Sequence, residues 1–539
     1  EMQRSLVGSE MCIRDRFNIN ALLKANGEKG TSDNPINLAD LNRNPINTNA
    51  HITCTANCYM VDAAGWYILP LVYGNAIHNG KVIEASYKPY STDSEGENIL
   101  TNFKNYNGKN ITSAFIEKDL KPKSVQPFML WQDVNGLVEY IYWNPTASMK
   151  YVPNAFYDTD NRKTVGGVKF HVAKGQQGNS VIGVAESISG GAVISQQQFP
   201  KTYWSWHIWV TCLDKQLDVN DKTIKVQGHE AHRIFDVMPV NLGWCSGADD
   251  DIIYYKERTC TVRFTFTDKD GMKRTEVRNI VKKSHIALTR GYNPYYQWGR
   301  KDPFTAVAFD SDDKSSVNVE TWISQDWSYG RQNPMPMTTF TDYFGIVHSG
   351  KLENRYHTRD ALGYMIQYPY AWHNPPREEK GDGFVSINKT YVNLWEGRPG
   401  VDPDAPILKT VYDPCPVGYQ VPHINMFSGF TTTGLDSSNE SEWYDVRSNN
   451  ILNYDNGSVE GGPYARILYE FYTNPDKTQS IIFPINGYRD WDGDGNVYHF
   501  GLKGYAWAAG NYTQNDRNFF NFEFAHDDQN ELDLDPAYI

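Results

Sequence analysis

Asp490, Asp492, Asp494 and Gly495 stand in a D-x-D-x-D-G spacing, the first half of a calcium loop of the EF-hand kind. In such a loop alternate carboxylates turn their oxygens onto one hard cation, and the glycine admits the sharp bend. The position that would carry the bidentate glutamate is Gly501, so the ligand set is incomplete. The same residues also make a hairpin tip, because Asp and Gly are turn formers, and that is the simpler reading. Ca2+ is the one ion for which this spacing offers ligands, and no other cofactor is expected. Enzyme chemistry finds less. His207, His229 and His232, with Glu230, border a polar stretch, but no third ligand has the spacing of a metal site. The chain has no G-x-S-x-G elbow, H-E-x-x-H helix, P-loop or G-x-G-x-x-G turn. Paired glycosidase carboxylates cannot be singled out among 64 acidic residues without geometry. No catalytic residue is assigned.

Recognition chemistry has better material. In WSWHIWVT a period of two puts Trp204, Trp206 and Ile208 on one strand face and Ser205, His207 and Trp209 on the other. Such a strand is either covered on both sides, filling the centre of a sandwich with its largest residues, or it offers a flat platform on which the C–H face of a sugar ring stacks. YYQWGRKDPF is similar: Gly299 permits a turn, and Arg300 and Lys301 can stack or pair near it. Trp204, Trp209, Trp298 and Trp507 are therefore the ligand-binding candidates, with core filling as the favoured alternative.

The elements that must position these groups are strands. Fifteen Trp, 35 Tyr and 24 Phe on a chain punctuated by 42 Gly and 27 Pro suit pleated faces better than helices. Val168, Phe170 and Val172 alternate with Lys169, His171 and Ala173, as on a half-buried strand. The run from Cys260 to Phe266 repeats that device, and Asp270-Gly271 supplies a hairpin turn. Phe520, Phe522 and Phe524 alternate near the end, and the clearest helix runs from about Thr358 to Gln367. Gly434 to Ser458 reads as loop.

At 539 residues the chain is too long for one ordinary core. A polar, charged run over 212–230 suggests a boundary there. A net charge of −13 with no basic cluster disfavours a nucleic-acid groove, and no stretch reaches the roughly 20 apolar residues of a membrane-spanning helix. Residues 1–16 read as the translation of a transposase sequencing adapter, since ATG-TGT-ATA-AGA-GAC encodes Met11 to Asp15, and they are set aside from the fold. Cys54, Cys58, Cys212, Cys245, Cys260 and Cys415 then remain, sparse and without a C-x-x-C pair, as expected of buried free thiols.

A resemblance gathers these motifs. TANCYMVDAAGWYILPLVYGNAI (Thr55 to Ile77) resembles the segment opening a domain of fimbrillin-family surface proteins of Bacteroidetes. WQDVNGLVEYIYW, GNSVIGV and WSWHIWVT continue the likeness in order. VMPVNLG, YYQWGRKDPF, NLWEG, YDPCPVGYQVP, FPINGYRD and GLKGYAWAAG are similar to the Fibrobacter succinogenes major paralogous (FISUMP) domain. The chain departs from that pattern at VMPVNLGWC, where an acidic residue and Arg usually precede Asn-Leu-Gly, and at YAWAAG, where aromatic-Trp-Ser is usual. A ligand role is therefore not borrowed at either place.

The resemblance implies a mainly β chain with minor α. Residues 17–49 would be a truncated N-terminal segment, 50–215 a fimbrillin-like β-sandwich, and 230–539 a larger α+β, C-type-lectin-like, FISUMP-like domain. It implies a non-enzymatic adhesin or pilus (fimbrial) subunit at the extracellular surface, tethered to the outer membrane through an N-terminal anchor absent from this sequence. Its partners would be other surface or pilus subunits, or host and glycan ligands, with no nucleic acid. The alternative is a carbohydrate-binding surface module using its aromatic platforms, assisted by calcium.

Overall fold

The computed structural model describes residues 14–17, 19–89, 102–134, 136–139, 149–158, 163–186 and 202–212. Farther along it describes 240–245, 258–267, 270–282, 294–296, 299–304, 395, 408–422, 426–427 and 505–509, with short strands elsewhere. These residues are mainly β, as the aromatic, Gly and Pro content predicts.

Eight strands make two four-stranded sheets. In chain order they are β1 (Ile36–Asn37), β2 (Cys58–Val61), β3 (Gly65–Pro70), β4 (Gln126–Gln132), β5 (Met149–Asp158), β6 (Lys163–Val172), β7 (Gly178–Ala185) and β8 (Thr202–Val210). One sheet has the order β5-β6-β3-β1 and the other β2-β8-β7-β4. Most neighbours are antiparallel, while β1 runs parallel to β3 and β2 parallel to β8. β6 keeps the expected alternation: Val168, Phe170 and Val172 are buried, while Lys169 and His171 are half-buried. Between β2 and β3 the chain turns at Gly65, whose φ of +133° disfavours any other residue. A Cβ there would also run into the main chain of Lys29, whose carbonyl accepts from Trp66 N at 2.9 Å.

Side chains of both sheets join one hydrophobic cluster that includes Tyr67, Leu69, Val168, Phe170, Val181, Trp204, Trp206 and Ile208. Residues 17–49, expected to lie outside the sandwich, contribute to this core. The helix α1 (Ile19–Ala25) turns Ile19 and Leu23, one helical turn apart, into the cluster, and Leu38 and Ala39 follow beside β1. The cluster also crosses the boundary expected at 212–230, because Val240, Trp244, Trp395, Val411, Tyr412 and Ala509 belong to it. Apolar surface from these distant segments is buried together with that of the two sheets, while Met426, Ile481 and Phe483 are buried outside this cluster.

The strand Arg14–Phe17, within and just after the adapter-like stretch, pairs antiparallel with Ile252–Tyr255. Small sheets of two and three strands occupy the remainder, among them Lys503–Asn511 with Phe519–His526. Val446–Ser448 is a strand paired with Leu468–Tyr472 inside the stretch read as loop. The helix expected at Thr358 to Gln367 lies outside the described residues. No helix among the described residues is long and apolar enough to cross a membrane.

One element stands apart from the core. β9 (Arg258–Thr267) and β10 (Lys273–Lys282) pair over ten consecutive residues, and Gly271 at φ +79° closes the turn. The expected half-buried strand is instead exposed on both faces: from Thr259 to Val281 every described side chain faces solvent except the half-buried Val262.

Candidate functional site

The β2-β8-β7-β4 sheet carries three groups of buried polar side chains, each meeting a segment from farther along the chain. Strand β8 supplies the centre, and all nine of its residues are buried. Trp204 and Trp209, both 0% exposed, are core residues and offer no face to a ligand. The glycan-platform reading fails for these two because residues farther along the chain pack against both faces of β8. The Trp204 ring meets Tyr73 edge-on at 4.7 Å and stacks with Tyr412 at 6.3 Å. Trp209 Nε1 donates to the Trp244 carbonyl at 3.0 Å. Trp507 is half-buried, and its Nε1 donates to the Tyr296 carbonyl at 2.7 Å. Trp298, Asp490, Asp492 and Asp494 lie outside the described residues, as do His229 and His232.

The first group holds the YDPCPVGYQVP loop. Its prolines bar a helix, and the Asp413 carboxylate organises the loop by accepting from Cys415 N at 2.8 Å and Val421 N at 2.9 Å. Lys409 Nζ donates to the carbonyls of Cys415 and Pro416 at 2.8 and 2.9 Å. The loop's inner carbonyls then meet two asparagines. Asn57 Nδ2 donates to Val411 O at 2.6 Å and Asp413 O at 2.8 Å, and Asn75 Nδ2 donates to Thr410 O at 2.7 Å and Asp413 O at 2.9 Å. Asn57 Oδ1 accepts from Trp204 Nε1 at 3.2 Å, so this amide uses both ends. Burial pushes the Asp413 carboxyl up, against the pull of Lys409 and the two main-chain donors.

The second group sits on Ser205. Lys301 Nζ donates to Ser205 O at 2.9 Å, to Ser205 Oγ at 2.6 Å and to Asp302 Oδ2 at 2.6 Å, while Ser205 Oγ lies 2.9 Å from both Asp302 oxygens. The ammonium also lies 4.4 Å from the centre of the Trp204 ring. Burial lowers Lys301 to about 8, with Asp302 opposing. Next to it, Arg300 stacks 4.6 Å over Phe304 and its carbonyl accepts from Trp395 Nε1 at 3.1 Å, while burial lowers the guanidinium to about 10. Gly299, at φ +78°, makes the expected turn.

The third group surrounds His207. Its Nε2 lies 2.8 Å from Asn179 Oδ1 and its Nδ1 3.0 Å from the Tyr296 hydroxyl. Asn179 Nδ2 donates onward to Asp133 Oδ2 at 2.8 Å and Gly243 O at 2.9 Å. Burial lowers His207 to about 3, so the ring is neutral at physiological pH.

A serine bonded to a lysine lowered towards neutrality is an arrangement that can activate a nucleophile. Here Ser205 is 0%, Lys301 3% and Asp302 2% exposed, and Ser205 lies mid-strand between two paired neighbours. A substrate could reach the hydroxyl only by displacing Lys301 and Asp302, which are bonded to it. The geometry instead suits a clasp, in which charged and amide groups satisfy one another and tie C-terminal segments to the sheet. Sequence reading missed Asn57, Asn75, Asn179, Ser205, Asp302 and Asp413 as a set. The available signal was polar residues embedded in aromatic motifs, above all Arg300-Lys301-Asp302 inside YYQWGRKDPF.

No family model, curated protein or solved structure matches the chain.

Proposed function

We propose that the chain is a non-enzymatic adhesin or pilus subunit of the extracellular cell surface, acting by binding and assembly. The observation that carries this reading is the distribution of exposed apolar surface. Six of the nine large apolar side chains exposed among the described residues (Phe264, Phe266, Met272, Val277, Ile280 and Val281) lie on the β9–β10 ribbon. Apolar surface concentrated on one projecting element marks a place of contact with another molecule. The charged and amide groups of the clasp are spent inside the fold, and the ordered resemblance to fimbrillin-family and FISUMP motifs supports the same class. The glycan alternative has lost Trp204 and Trp209 as platforms. Immunogold labelling of intact source cells tests the reading: antibodies to the chain should decorate the cell surface or filaments leaving it. Labelling that appears only after lysis would overturn it.

A further inference from the structure

We infer that the β9–β10 ribbon docks on the body of a second copy of this chain, in a head-to-tail contact that repeats from copy to copy. The inference rests on the assembly reading above and names the partner.

An isolated two-stranded ribbon is marginal in water, because neither face is covered and both edges leave main-chain groups unpaired. Ten paired residues make this one long. One face carries Cys260, Val262, Phe264 and Phe266 opposite Ile280, Arg278, Glu276 and Arg274. The Phe264 and Phe266 rings lie 6.4 Å apart and nearly parallel, as a continuous apolar strip beside two arginines. The other face mixes Thr259, Thr261, Arg263 and Thr265 with Val281, Asn279, Val277 and Thr275, so apolar surface is present on both sides.

Charge selects the occupant. Residues 258–282 hold seven Lys and Arg against three Asp and Glu, a net of +4, which leaves −17 for the remainder of a chain totalling −13. A basic strip with an apolar centre complements the acidic body of another copy. It does not complement a second ribbon, where +4 would face +4. The contact is therefore heterologous, ribbon on body. Heterologous contacts that do not close on themselves build open chains, as a pilus requires.

The test is sedimentation velocity of the full chain from about 1 to about 100 μM, in about 50 mM and about 500 mM NaCl, where the screening length falls from roughly 14 to 4 Å. Mean mass should rise with concentration at low salt and fall at high salt. The Phe264→Thr/Phe266→Thr and Arg274→Glu/Arg278→Glu variants should each weaken association at least tenfold, with an unchanged unfolding midpoint. A readout that needs no variant is Cys260, whose labelling by a maleimide should slow as wild-type concentration rises. A monomeric wild type throughout overturns the inference, as do variants that associate like wild type or constant Cys260 labelling. Preferential ribbon-dependent binding to phosphatidylserine vesicles over self-association overturns it in favour of a membrane partner. A monomeric chain that still labels the surface of intact cells removes this contact and leaves the proposed function standing.

Discussion

The side-chain amide of Asn57 donates to the carbonyl oxygen of Asp413 at 2.8 Å, although 356 residues separate the two in sequence. Asn57 immediately precedes β2, the strand that runs beside β8, and Asp413 organises a proline-stiffened loop by accepting from two of that loop's own main-chain donors. The loop arrives with its inner carbonyls already directed, and one amide closes on two of them while its oxygen takes the Trp204 indole. The sheet and the C-terminal segments are joined by buried amide-to-carbonyl hydrogen bonds.

Asn57→Ala should therefore cost about 3 kcal/mol, since it removes a donor from the Val411 carbonyl, one of two from the Asp413 carbonyl, and the acceptor from a buried indole. Urea unfolding measures the loss. Gly74→Ala should act in the same direction, because a Cβ at Gly74 would occupy the space of the Asn57 amide.

Lys301 and Asp302 should behave as a pair. Asp302→Ala leaves a buried ammonium without its counter-charge and should destabilise by about 3–5 kcal/mol. The double variant Lys301→Met/Asp302→Leu removes both charges and should cost less than Asp302→Ala alone. A double-mutant cycle in chemical denaturation checks the order.

His207 predicts an acid sensitivity of defined sign. Its folded pKa, lowered to about 3, lies below the usual 6.5, so the unfolded chain binds the proton first. Its contribution to stability is fully present above pH 6.5 and is lost as the pH falls towards 3, amounting to about 2 kcal/mol by pH 5. The ring is faced by the Tyr296 hydroxyl and by Asn179, behind which lies Asp133, and none of these offers it a direct counter-charge. Thermal unfolding at pH 7 and pH 5 should show a smaller difference in His207→Gln than in wild type.

Thiol chemistry should single out one ribbon residue. Cys54, Cys58, Cys212, Cys245 and Cys415 are buried, and Cys260 is exposed. Burial also raises the Cys58 and Cys415 thiols, which disfavours the reactive thiolate. In dilute native protein Cys260→Ser should remove one fast-reacting equivalent of a thiol reagent, while the five buried thiols react only after unfolding.

Strand existence was legible because period-two alternation and turn chemistry are local. Lys163–Val172 and the β9–β10 hairpin with its Asp270-Gly271 turn appear where side-chain order alone places them. The Ser205–Lys301–Asp302 contact was not legible, since a serine within an aromatic strand and an ion pair within an aromatic loop reveal nothing of each other until the chain brings them together.

The clearest contrast is between β8 and β9. Sequence alone determined that both are strands and which residues share a face. Only the tertiary structure decided that β8 is covered on both faces and β9 on neither. Alternation is set by each strand's own backbone geometry, whereas burial depends on what the rest of the chain lays against it. For β8 those covers come from Trp244, from Tyr296, Lys301 and Asp302, and from Tyr412, and for β9 the described residues supply none.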